Sequence, residues 1–165
     1  MSPIFSLQSG EFRIRKQQNK KEFLMNIFYK IKEDLVEELL SYNLLNSMTY
    51  GDIDDVDLDK TSAYALGHYI INNVRLGGKV IYIEFSLILM DIVDDNKDNT
   101  DDVINSMMSV AMRLEQSLKR GDLYDANYHL DGDVNLEPFV DRFKDKVAGV
   151  TATYNIKVPN TVGIC

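Results

Sequence analysis

Apolar residues recur along the chain at two different spacings, and the switches between them divide it into elements. From 19 to 41, Phe23, Leu24, Ile27, Phe28, Ile31, Leu35, Leu39 and Leu40 follow three- and four-residue steps, with Lys20, Lys30, Lys32, Glu33, Glu37 and Glu38 opposite. That stripe predicts an amphipathic helix. "SYNLLNSMTYGDIDDVDLDKTS" breaks the period, and Gly51 marks a turn in it. The spacing then drops to two. Tyr69–Leu76 and Val80–Asp91 read as the strands of a hairpin, with Gly77-Gly78 supplying the positive φ of its turn. The second strand is apolar on both faces: Ile81, Ile83, Phe85, Leu87 and Leu89 alternate with Val80, Tyr82, Ile88 and Met90. A strand of that kind is covered on both sides and belongs at the centre of its sheet.

The helical period returns over 100–120, with Val103, Met107, Val110, Ala111, Leu114 and Leu118 in one stripe. Asn99 or Thr100 is the expected N-cap, and Asp101 and Asp102 suit the first turn. Lys119 and Arg120 suit the last turn, and Gly121 suits the position just beyond it. "AGVTATYNIKVPN" alternates strictly. Val150, Ala152, Tyr154, Ile156 and Val158 face one way, Thr151, Thr153, Asn155 and Lys157 the other, and Pro159 stops the strand. Strands and helices do not alternate regularly. The order predicts an α+β fold with a mainly antiparallel sheet packed against two main helices. An extended N-terminal arm over 1–18 precedes a single domain over 19–165.

Composition adds two points. A chain of 165 residues that is 45% hydrophobic has enough apolar material for a core without disulfides or metals. Its net charge of −8 argues against a protein that coats nucleic acid, which needs a basic face. The charge is uneven. Residues 1–32 hold seven Lys/Arg and two Asp/Glu, a net +5, which leaves −13 for the remainder. The single cysteine, Cys165, cannot form an internal bridge and suits a reducing compartment. No run is apolar for 18 residues, so no membrane span is expected, and the first 21 residues do not read as a secretory signal.

The arm carries the candidate partner-binding residues: Phe5, Leu7, Phe12, Arg13, Arg15 and Lys16. Phe5, Leu7, Phe12 and Ile14 punctuate a basic string without helical period. Such a segment can lie along a neighbouring subunit, fill apolar grooves with its aromatics and set its cations against acidic loops such as 52–59 or 94–102. Its backbone can also add a strand to a sheet edge.

"MDIVDDNKDNTDD" holds six aspartates in thirteen residues and is the strongest candidate for cation chemistry. A calcium loop of the EF-hand type needs acidic ligands at positions 1, 3 and 5, Gly at 6 and Glu at 12. Counting from Asp94 gives Asp94, Asn96 and Asp98, then Asn99 and Asn105 in place of the Gly and the Glu. The segment reads instead as a solvated strand-to-helix connection. The runs Asp52, Asp54, Asp55, Asp57, Asp59 and Asp131, Asp133, Asn135, Glu137 fail the same test. His68 and His129 lie in different elements without an HxxxH or cysteine partner, so a zinc site is not expected. No nucleophile elbow or phosphate loop is present. Two readings survive: a structural subunit that assembles through its loops and arm, and a small soluble ligand-binding domain or enzyme with an unrecognised site.

The last third of the chain resembles a known family. "RGDL" at 120–123, "LDGD" at 130–133, "EPFVDRF" at 137–143, "AGVTATYNIKVPN" at 148–160 and Cys165 resemble the C-terminal part of small bacteriophage neck and tail-completion proteins, especially of phages infecting Bacteroides-like hosts. The strand ending in "LMDIVD" fits as well, and the likeness spans roughly 22–165. The order of elements looks like the tail-terminator fold, whose subunits form a ring. The resemblance implies a virion protein of the neck, between portal and tail, assembled in the host bacterial cytoplasm as a sixfold or twelvefold homo-oligomeric ring. Its partners would be other neck, portal or tail proteins. It implies no catalysis, no cofactor, no membrane contact and no sequence-specific nucleic acid binding, with DNA passing through the lumen. A lumen lined by the aspartates of 90–102 would repel that DNA. The basic arm, Met1–Lys21, and the acidic patches depart from the family pattern.

Overall fold

A computed structural model of the chain describes residues 28–57, 63–143 and 145–160. The arm, with Phe5, Leu7, Phe12, Arg13, Arg15 and Lys16, lies outside the described residues, as does 19–27 of the first predicted helix. Helix α1 is described over 28–41 and buries Ile31, Leu35 and Leu39, the inner stripe that the three- and four-residue steps predict. Strand β1 (Ser47–Tyr50) follows, then a 3-10 turn (Ile53–Asp57), β2 (Leu66–Leu76) and β3 (Val80–Ile92). Next come α2 (Thr100–Arg120), the one-turn α3 (Asp122–Asp125), β4 (His129–Leu130), β5 (Asn135–Val140) and β6 (Val147–Pro159).

The six strands form one mixed sheet in the order β1-β2-β3-β6-β4, with β5 also paired to β6. All pairs are antiparallel except β1 with β2. The doubly apolar β3 is central, between β2 and β6. Its register places Phe85 opposite Ile71 and Tyr154, and Leu87 opposite Tyr69 and Ala152. Ile81, Ile83, Phe85, Leu87 and Leu89 join the main core with α1 and with Val103, Met107, Val110, Ala111, Leu114 and Leu118 of α2. Phe85 and Tyr154 stack with ring centroids 5.1 Å apart, and the buried Tyr154 hydroxyl donates to the Ala111 carbonyl at 2.8 Å, tying sheet to helix. Both helices cover this one face. On the opposite face a second, smaller core of Leu66, Ile88, Met90 and Val147, packed by Ile70, Phe139 and Phe143, closes one end.

Several local expectations are corrected. The segment 42–63 is not only a break. It contains β1 and the 3-10 turn, held to β2 by parallel pairing from Ser47↔Leu66 to Tyr50↔Tyr69. β2 begins three residues before Tyr69, and β4 and β5 occupy a stretch that shows no clear alternation. Neither Asn99 nor Thr100 caps α2 with its side chain. Asn99 sits at the cap but accepts from the Asp94 N–H (2.8 Å), and the Thr100 hydroxyl donates back to the Lys97 carbonyl (2.8 Å), so both side chains stabilise the connection instead. Gly121 follows α2, but in an extended conformation rather than the left-handed one (φ −113°). Its reason is space: a Cβ there would lie 2.8 Å from the Ser117 Cα, because α3 starts immediately and folds back.

Candidate functional site

The aspartate-rich segment is a connection between β3 and α2. Asp94, Asp95 and Asp98 are exposed, and the Lys97 N–H closes a turn onto the Asp94 carbonyl. Asp95 takes an ion pair with Lys146 at 2.7 Å, whose hydrogen bond holds the Asp95 carboxyl below its ordinary value. Lys97 pairs with Asp141. These two bridges staple the connection to the segment between β5 and β6. Asp131, from another acidic run, pairs with Lys157 at 2.8 Å. Among the described residues no three His, Cys, Asp or Glu side chains converge as metal ligands.

His68 is fully buried in β2. Its Nε2 lies 3.0 Å from the Asp52 carbonyl and its Nδ1 2.7 Å from the Thr49 hydroxyl. A carbonyl only accepts, so Nε2 carries the hydrogen and the bare Nδ1 accepts from Thr49. Both nitrogens are thus engaged in pinning the β1 exit to β2. Burial pushes the His68 pKa below its ordinary value, against the opposing pull of the Asp52 carbonyl. His129 stacks on Tyr124 with ring centroids 4.4 Å apart, at a distance in sequence and element from His68.

The polar half of the sheet's uncovered face holds a shallow cavity of about 470 Å³. Asp52, Asp54, Asn72, Ser86, Arg142 and Thr151 line it. The Asn72 amide donates to the Ser86 hydroxyl at 2.8 Å, Ser86 lies 3.2 Å from the Thr153 hydroxyl, and Arg142 donates to Thr151 at 3.1 Å. Ser86 therefore has amide and hydroxyl neighbours rather than a base, and an unactivated hydroxyl is a poor nucleophile. The arrangement can bind through hydrogen bonds, one guanidinium and the carboxylates of Asp52 and Asp54.

The lateral edge of β2 is built differently. β1 ends at Tyr50, and the last main-chain bond to it runs from the Gly51 N–H to the Tyr69 carbonyl at 3.2 Å. Gly51, at φ +135°, turns the chain away. From Ile70 to Leu76, no described residue pairs with β2 on that side. The Tyr69 carbonyl points outward, so by strand alternation the main-chain groups of Ile71 do too. A bulge at Asn72 shifts the register between Ile71 and Asn73. Beyond it, the Gly77 N–H bonds inward to Val80, so Val74 and Leu76 present their main-chain groups outward. Ile71 and Leu76 are also exposed side chains, Leu76 at 72%. At the Ile70 end of this edge lies a recess of about 290 Å³ lined by Lys32, Tyr50, Tyr69 and Ile71. The Lys32 ammonium sits 3.7 Å over the Tyr50 ring at its rim.

From the sequence the arm is expected to be an assembly element, but nothing in it marks the edge. The adjacent asparagines Asn72-Asn73, poor strand formers inside an otherwise β-rich run, are the one signal that could have marked the bulge. The arm residues themselves lie outside the described residues. A scan against models of known protein families finds no match, and a search of curated proteins finds none either.

Proposed function

We propose that this chain is a structural virion subunit that forms a ring in a phage neck, between portal and tail, and joins head to tail. One observation carries the assembly part of this reading: the sheet ends in two unlike edges. On one side the main chain of β2 between Ile71 and Leu76 has no partner among the described residues and lies beside exposed apolar side chains. On the other the broken strand β4–β5 ends at an exposed Val140. Two different faces on one subunit make a head-to-tail contact, which closes into a ring when the rotation per subunit divides a full turn. The phage assignment rests on the resemblance of 118–165 to neck and tail-completion proteins. The proposed ring is sixfold or twelvefold, its neighbours are other neck, portal or tail proteins, and the protein turns over no substrate.

A second reading has a specific observation in its favour. The open-face cavity, with Arg142, Asn72 and two aspartates around it, is suited to a small polar ligand. Mass in solution separates the two. Light scattering or native mass spectrometry of the full chain that returns a closed ring of defined subunit number supports the neck reading. A monomer at all concentrations, with a small polar molecule bound stoichiometrically at Arg142, replaces it with the ligand reading.

A further inference from the structure

Resting on the ring reading, we infer that the outward edge of β2 receives the N-terminal arm of a second copy as an added strand, with residues 11–15 paired against Ile71–Leu76. The edge offers what strand addition needs. Main-chain groups of Ile71, Val74 and Leu76 point out of the sheet, and the two side-chain faces beside them differ in character. Ile71 and Leu76 lie on the helix-covered side, where their apolar side chains are exposed beside the recess of Tyr50 and Lys32. On the other side of the same edge stand Glu84 of β3 and, at its Ile70 end, Asp52 and Asp54.

The arm has the complementary alternation. In "EFRIRK", Phe12 and Ile14 alternate with Arg13 and Arg15, a strict period of two. A strand laid on this edge with Phe12 and Ile14 on the helix side extends the apolar row of Ile71 and Leu76. It then sets Arg13 and Arg15 on the acidic side. A one-residue slip inverts both matches, so the pairing fixes its own register. Arg75 and Arg142 lie on the acidic side as well, but Arg75 is engaged over the Tyr82 ring at 4.4 Å, toward the hairpin end, and Arg142 donates to Thr151 of β6 at 3.1 Å. That places the arm's arginines at the Ile70 end.

The donor is a second copy because of the direction in which the predicted first helix carries the chain. The apolar stripe predicts helix from residue 19 to Phe28, about 13 Å of rise leading away from Lys32 and the recess. A return to the same subunit's edge needs a reversal between Arg15 and Phe23, where "RKQQNKKE" offers Asn19 as its single turn-forming residue and neither Gly nor Pro. Continuing outward, the arm meets a neighbour.

The test uses the full chain with Cys165 replaced by Ser, so that the only thiols are introduced ones. A Phe12→Cys protein is mixed with a mass-tagged Ile71→Cys protein and oxidised gently, and the Ile14→Cys and Leu76→Cys pair is treated alike. A single protein carrying both Phe12→Cys and Ile71→Cys is oxidised alongside at the same concentration. The expected result is a reducible heterodimer from at least one mixture. In the doubly substituted protein the bonds then join different chains. A bond only within one chain would show the arm on its own edge and overturn the inference, as would no bond in any arm. The mass of the untreated full chain is read in parallel. A closed ring without heterodimer sinks the strand addition and leaves the ring; a heterodimer without a closed ring does the reverse.

Discussion

Single residues in this protein carry strain and charge that substitution makes measurable. Gly149 lies across from Met90 in the β3–β6 ladder, and a Cβ there would come within 1.9 Å of the Leu89 carbonyl oxygen and 2.9 Å of the Met90 Cα. The obstacle is the main chain of the central strand, which cannot swing aside. Gly149→Ala is expected to cost on the order of 3 kcal/mol, with Tm lower by about 10 °C, read by thermal unfolding. Tyr154→Phe keeps the stack on Phe85 and removes only the bond to the Ala111 carbonyl, so its cost in the same assay is about 1 kcal/mol. His68 links stability to pH. Unfolded, it takes up a proton near 6.5; folded, burial moves that uptake to lower pH. Between those values the unfolded chain binds more protons, so stability falls as pH drops through that window, and well above 6.5 the slope dies away. Denaturant unfolding across that range should show the slope in the native protein and its loss in His68→Gln. A slope unchanged by the substitution would assign the effect elsewhere.

Elements differ in how they are specified. The β2–β3 hairpin turns on Gly77-Gly78, and only Gly78 is left-handed (φ +74°), with open space around it. Gly78→Ala therefore tests backbone conformation alone and is expected to cost about 1–2 kcal/mol in chemical denaturation. The ends of α2 agree with the sequence expectation because its stripe, its acidic first turn and its basic last turn all mark the same bounds. The inner row of β6 was legible for a similar reason: each of Val150, Ala152, Tyr154, Ile156 and Val158 is buried, and each residue between them is half-buried. β1, β4 and β5 were not legible, and the reason is positional. They lie at the margins of the sheet, with four, two and six residues respectively and no buried side chain, so burial imprints no alternation on them. Pro138 inside β5 points away from a strand unless its place at the edge is known. The outward run of β2 was legible as a strand but not as an open edge, because what leaves it open is the four-residue length of β1, a fact about a partner far off in sequence.

At the scale of the molecule, covered and uncovered surfaces are segregated. Helices occupy one face, a small second core closes part of the other, and the open edge of β2 borders the main core. Deleting residues 2–18 should leave the domain folded, with its melting transition close to that of the full chain, while the assembled mass is lost. A truncated protein that assembles normally at the same concentration and salt would separate the arm from assembly. The acidic connection after β3 makes its own prediction. With Asp95 and Asp141 already committed to lysines, millimolar calcium should leave Tm nearly unchanged. A site bound only in the native state would stabilise it by about 2.7 kcal/mol at a hundredfold excess over Kd, a shift readily seen in the same melt.

The bulge at Asn72 has a consequence for how the protein behaves at high concentration. A flat, unbroken ladder of unpaired groups invites copy after copy to stack, which is the route to fibres and precipitates. Here the ladder changes step between Ile71 and Asn73, and the Asn72 amide is held down on Ser86, so the kink is fixed. An incoming strand meets two short ladders that are out of phase, so regular pairing extends only over the few residues on one side of the bulge. The bulge therefore acts as a brake on open-ended growth while leaving room for a matched short partner. Deleting Asn72 would straighten the edge, and the resulting protein should turn cloudy and bind amyloid dyes at concentrations where the native chain stays clear.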